Sequence, residues 1–162
     1  MVSIRLKSIL DETFQDYKKP SMLLATCSCD WKCLKERDLD ISICQNSEIA
    51  KQKNINVSVD EIVDRYINNP ITQSIIIAGL EPMLQFDEVL NFVDTFRNTS
   101  DDDIIIYTGY YPDEIMSEIE QLKQYKNIIV KFGRYIPNRK KRFDMNLGIE
   151  LISDNQFAVK IS

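Results

Sequence analysis

The chain contains no histidine. That absence removes zinc sites of the Cys/His type and every Ser-His or Cys-His catalytic pair, since each needs an imidazole. No apolar run approaches the ~20 residues of a membrane helix. The N-terminal stretch MVSIRLKSILDETF carries acids where a secretory signal has its apolar region, so no export signal is expected. A net charge of −5 argues against a broad nucleic-acid-binding surface. No repeat, low-complexity tract or linker divides the 162 residues. The expectation is one cytoplasmic domain spanning 1–162, long enough for a real core.

Cysteine is also absent from almost the whole chain, yet Cys27, Cys29, Cys33 and Cys44 crowd into one segment, 27–46. Disulfides gain most by closing long loops and persist in oxidising compartments, and neither condition fits this cluster. A metal or iron–sulfur site is the better expectation. Three thiolates can hold a [4Fe–4S] cluster with one iron open, whereas structural zinc takes four ligands. Four cysteines leave both choices standing. Spacings of one, three and ten residues do not make the paired knuckles usual for zinc. A third reading treats some of the thiols as small buried hydrophobes.

Around this segment, short β-branched runs alternate with amphipathic stretches. MLLAT (22–26), QSIIIAG (73–79), DIIIYTG (103–109) and NIIVKFG (127–133) read as buried strands. Ser58-Val-Asp-Glu61 reads as a capping box opening a helix to about Asn68, with Pro70 as a stop. FDEVLNFVDTFRN (86–98) places Phe86, Val89, Leu90, Val93 and Phe96 on one helical face. A helix is expected over 112–125, and two further strands, GIELIS and FAVKI, around the turn Asp154-Asn155. Such alternation predicts an α/β fold with a mostly parallel sheet covered by helices. Ligands then bind beyond the strand carboxyl ends, where the cysteine loop, Gly79-Leu80-Glu81-Pro82 and Thr108-Gly109-Tyr110 would meet.

Cys29-x3-Cys33, with Cys44-Gln45-Asn46 after it, resembles the radical S-adenosylmethionine (radical SAM) motif C-x3-C-x2-C. Ala78-Gly79-Leu80-Glu81-Pro82-Met83-Leu84 resembles that family's S-G-G-E-P-L segment. Ile106-Tyr107-Thr108-Gly109-Tyr110 and Ser153-Asp154-Asn155-Gln156 resemble the Y-T-G and S-x-N-Q segments of anaerobic ribonucleotide reductase activating proteins. Together these cover most of 21–157. Two departures stand out: ten residues separate Cys33 from Cys44, and Leu80 replaces a glycine. The long spacing reads as a loop insertion, which closure entropy tolerates.

The resemblance implies a single compact domain in the form of a partial (β/α) barrel, with the cysteine loop at the strand carboxyl ends. It implies Cys29, Cys33 and Cys44 as ligands of a [4Fe–4S] cluster, with Cys27 either spare or an alternative ligand. It further implies S-adenosylmethionine at Gly79, Glu81, Asn46, Thr108 and Asn155, and its reductive cleavage to a 5′-deoxyadenosyl radical. Glu81 would accept from the SAM ammonium, its other reading being a first-turn helix acid. Asn46 would orient the loop or serve as a turn residue, and Asn155 would touch SAM or sit in a hairpin turn. Trp31 and Ile43 would shield the cluster from water, and Tyr107 would join Thr108 near the nucleoside. The substrate implied is a glycine of the large anaerobic ribonucleotide reductase subunit, with flavodoxin or ferredoxin as electron donor. The basic run Arg134–Arg142 is either a solvated loop or a docking patch for an acidic partner. Radical SAM chemistry on another substrate, and a zinc-stabilised binding module, are the alternatives.

Overall fold

The computed structural model describes residues 1–162. In chain order the elements are β1 (Ser3–Thr13), β2 (Ser21–Thr26), α1 (Lys32–Lys35), α2 (Ser47–Ala50), β3 (Ile55–Ser58), α3 (Val59–Ile67) and β4 (Ser74–Gly79). They continue as α4 (Phe86–Arg97), β5 (Asp103–Tyr107), α5 (Met116–Leu122), β6 (Ile128–Phe132), β7 (Arg142–Asp144), β8 (Ile149–Leu151) and β9 (Phe157–Lys160). Seven strands form one sheet in the order β3-β1-β2-β4-β5-β6-β9, and β7 pairs with β8 apart from it.

The four expected apolar strands are its parallel centre: β2, β4, β5 and β6 run side by side. Their Ile and Val residues are buried on both faces, which explains the lack of polar alternation. The expected partial barrel gives way to an open mixed sheet. Antiparallel β1 and β3 extend it past β2, and antiparallel β9 ends it beside β6. Sequence reading assigned β1 no strand, although Ile4 and Leu6 are fully buried in a half-wet, alternating pattern.

Helix cover differs from expectation too. Residues of α3, α4 and α5 all join the large apolar cluster on one face, built around Phe92 and Phe96. The cluster on the other face contains no helix residue; Tyr17, Leu147 and Leu151 pack there from loops and β8. One face of the parallel sheet is thus closed by helices and the other only by the segment around Tyr17 and the β7–β8 hairpin. That unequal cover leaves room above the second face.

Three local expectations are corrected. The Ser58 capping box does not form, because Ser58 ends β3 opposite Ser3, and Val59 N–H donates to Val2 O at 3.0 Å. That bond takes the first free N–H of the helix, while the N–H groups of Asp60 and Glu61 that a cap would satisfy receive nothing from the Ser58 side chain. The helix expected over 112–125 splits into a 3-10 turn, Pro112–Glu114, and α5, because the buried Ile115 between them has non-helical backbone angles. The strands around Asp154-Asn155 are no hairpin: β8 pairs with β7, and β9 pairs with β6.

Candidate iron–sulfur site

β2, β4 and β5 run parallel, so the loops after Thr26, Gly79 and Tyr107 leave the same edge of the sheet. A cavity of about 500 Å³ lies there, within the range of cofactor sites. Cys29, Cys33, Cys44, Asn46, Gly79, Glu81 and Thr108 line it. Asn155 does not. Its side-chain amide donates to Tyr111 Oη at 2.8 Å and to Arg134 O at 2.7 Å, and its oxygen accepts from Ser153, so it fastens the loop behind the cavity wall.

The thiols are prepared by the backbone around them. Trp31 takes a left-handed conformation, φ 57°, uncommon for a bulky residue, and its N–H donates to Cys29 Sγ at 3.3 Å. Asn46 N–H donates to Cys44 Sγ at 3.4 Å by the same two-residue step. The Asn46 backbone thus helps to set Cys44, and the residue itself lines the cavity. Burial pushes the Cys29 thiol up to about 12, against the pull of the Trp31 N–H, and burial followed by the charge of Cys44 raises Cys33. All four cysteines are free. A buried thiolate needs either a proton or a metal, and N–H donors to sulfur are among the groups that tune iron–sulfur clusters.

No three Cys, Asp or Glu side chains converge tightly enough to share one metal ion. A four-iron cluster takes one thiolate per iron, so its ligands surround a volume and do not meet at a point. Three free thiols on the wall of one cavity, two already receiving N–H bonds, fit such a group. Cys27 is set apart from them. It is 8% exposed, does not line the cavity, and its N–H donates to Gln85 Oε1 at 2.8 Å.

Gln85 is a residue that sequence reading missed. Its Nε2 donates to Arg5 O at 2.8 Å while its oxygen holds Cys27, so one buried amide ties β1 to the start of the cysteine loop. Gln85→Leu strands the Cys27 N–H and the Arg5 carbonyl. The expected loss is about 1–2 kcal/mol in urea unfolding, with earlier hydrogen exchange at Cys27.

Glu81 is 6% exposed and belongs to none of the ion pairs around the site. Its Oε1 accepts from Met83 N (3.0 Å) and Thr108 Oγ1 (2.7 Å), and its Oε2 from Gly109 N (2.9 Å). It therefore caps the 3-10 turn Pro82–Gln85 and also joins that turn to the loop after β5. Burial pushes its carboxyl up despite the three donors, so the charged form lacks a full complement of positive partners. Gly79 is required by packing: at φ +90° its Cβ would meet Ala25 Cα at 2.9 Å.

A set of charges clasps the cysteine loop to the rest of the molecule. Arg134, 8% exposed, donates through Nη1 to Glu114 Oε2 at 2.8 Å and to Gly109 O at 3.2 Å. Its Nε lies 2.9 Å from Glu36 Oε2, but without hydrogen-bond alignment, so that contact is chiefly electrostatic. Lys32 reaches the same Glu114 at 2.7 Å, and Tyr110 donates to Asp30. Cys33 lies between Lys32 and Glu36 in the chain. Arg134 is therefore not part of the exposed basic run; within it, Arg139 and Lys141 pair loosely with Asp154 and Glu150 at 3.7 and 3.5 Å. Its position just beyond Gly133, at a strand's end, was the available signal.

Lys131 was also unforeseen. It lines the cavity at 7% exposure, and burial lowers its ammonium to about 8, with Glu81 and then Cys33 pulling the other way.

The family model of the 4Fe–4S single cluster domain matches residues 23–156. The match spans most of the chain, including all four cysteines, and the chain belongs to that family. No curated protein matches it. No helix is long and apolar enough to cross a membrane.

Proposed function

We propose that this 4Fe–4S single cluster domain protein is a radical SAM enzyme whose target is a glycine of an anaerobic ribonucleotide reductase. The supporting observation is a buried carboxylate, Glu81, on the same cavity as the three free thiols of Cys29, Cys33 and Cys44. Those thiols would hold the cluster, the N–H groups of Trp31 and Asn46 setting two of the sulfurs. When bound, the cluster and SAM supply one-electron reductive cleavage of the sulfonium. Glu81 would take the ammonium of SAM, which provides the positive partner its burial calls for. Thr108 and the Gly109 N–H hold that carboxylate in place, so Thr108 acts through Glu81. Gly79 keeps the β4 end against β2. Flavodoxin or ferredoxin is the proposed electron donor, and the reductase assignment rests on the sequence resemblance.

The test is anaerobic reconstitution with iron and sulfide, then reduction in the presence of SAM and chromatography for 5′-deoxyadenosine. The expected result is a brown protein that makes 5′-deoxyadenosine, with product lost in Cys33→Ala and kept in Cys27→Ala. A colourless protein with one zinc and no product would sink the proposal.

A further inference from the structure

Two buried side chains on the cavity wall have hydrogen-bonding capacity that the chain leaves unused. Gln156 is 4% exposed, and its Oε1 has no partner. Its Nε2 donates to Gly133 O at 3.3 Å. A carbonyl can only accept, so this contact fixes the amide with its nitrogen inward and its oxygen as the free end. Lys131 Nζ donates to the same carbonyl at 3.1 Å, leaving two of its three donors. The Tyr107 ring lies 5.7 Å from that ammonium. Both residues line the cavity, Lys131 within β6 and Gln156 directly before its neighbour β9.

We propose that Lys131 and Gln156 form a subsite for an amide, in which the ligand C=O accepts from Lys131 Nζ and its N–H donates to Gln156 Oε1. The occupant is a side-chain carboxamide of the substrate polypeptide, because Lys131 and Gln156 sit side by side on the Gly133 carbonyl and a trans peptide group points its C=O and N–H in opposite directions. This deepens the proposed function and rests on its reading of the substrate as a protein chain. A bare carboxylate or phosphate fits less well: it would satisfy Lys131 but set its lone pairs against Gln156 Oε1. It would also add negative charge to a wall that already carries Asp16, Glu81 and Glu150. The other cation on the wall, Arg134, is taken up by Glu36 and Glu114. A primary carboxamide carries its acceptor and one donor on the same edge and adds no charge.

The test uses the full-length protein, labelled with 15N and without cluster or SAM. N-acetylglycinamide, acetate, inorganic phosphate and adenosine are titrated in parallel while the Gln156 side-chain amide signals are followed. The expected result is saturation by N-acetylglycinamide at concentrations at least about tenfold below the other three, a preference of ~1.4 kcal/mol. Lys131→Met should abolish it with the amide spectrum otherwise retained. Equal or tighter saturation by acetate or phosphate would make this an anion site and overturn the proposal. Tighter adenosine binding would assign the pair to the nucleoside, with the same consequence, and so would no saturation by the amide at any soluble concentration. The ligand comparison in the unmutated protein decides the matter even where a variant misfolds. Since the readout needs neither cluster nor SAM, its failure is distinguishable from a failure to form 5′-deoxyadenosine.

Discussion

Replacing Glu81 with alanine is expected to lower stability by about 2–4 kcal/mol, since three donors lose their acceptor at ~1–3 kcal/mol each, partly relieved by relaxation. Those donors are Met83 N, Thr108 Oγ1 and Gly109 N, so the damage links the turn after β4 to the loop after β5. The urea midpoint reads it. Glu81→Gln keeps the shape but sets an NH2 group against one of the donors, and a smaller loss follows. The proposed role adds a second consequence: neither variant forms 5′-deoxyadenosine, and both load iron and sulfide like the unmutated protein. A Gln variant with undiminished product would remove Glu81 from the SAM site and leave it a structural cap. The folded carboxyl holds its proton more tightly than the unfolded one. Its contribution to stability therefore falls as pH rises past the unfolded carboxylate range. A bound ammonium opposes that fall, so SAM should protect the loaded protein more at neutral than at acid pH.

The clasp around Arg134 carries the second large effect. Arg134→Met leaves Glu114 and Glu36 without their shared cation and frees one end of the segment that bears Cys33. Glu36 is half exposed and Glu114 keeps Lys32, so the loss is set chiefly by the hydrogen bonds of Arg134, about 1–2 kcal/mol. The expected signature is local: alkylation of Cys33 accelerates by about tenfold or more while the exchange of β4 and β5 amides is unchanged, as for a cooperative local opening. Equal acceleration throughout the molecule would mean a general loss of stability. Arg134, joined by Lys32, holds the Glu114 carboxyl down at about 2. Its folded value lies below the unfolded one, so its stabilisation is complete above the usual carboxylate range, ~4.3, and is lost as pH falls toward 2. Cys33 alkylation measured after brief acid exposure should rise through that window, and Glu114→Gln should abolish the dependence.

The central strands were legible because burial on both faces leaves an unmistakable run of Ile and Val, as in β4 and β5. β1 was not, since its Ile4 and Leu6 alternate with charges, and the same residues suit a half-wet helix as well as a strand until a neighbour is known. The Ser58 cap failed for a related reason. Its local pattern was sound, but pairing with β1 holds Ser58 in the sheet, and Val59 N–H is bonded to Val2 O from 57 residues earlier in the chain. At the cavity, chemistry-bearing residues next to strand ends were found, whereas Gln85 and Lys131 were not, and Gln156 was noticed only as the last residue of the S-x-N-Q segment. Each is an ordinary polar residue in isolation, and its importance comes from burial, which composition does not record. Arg134 was noticed for its charge and mistaken for part of an exposed patch.

By itself the sequence determined the kind of chemistry: no imidazole, four thiols in one segment, and apolar strands whose ends lie close to Glu81 and Thr108. These are properties of residue type and spacing, and no folding is needed to state them. Tertiary structure alone decided which groups share a cavity and which are spent elsewhere. It put Cys27 aside with Gln85, gave Asn155 to Arg134, closed one face of the sheet with helices, and left the other with Lys131 and Gln156 on its wall. The physical reason is that a buried polar group takes whichever partner the packing brings within reach, and that partner can lie anywhere along the chain.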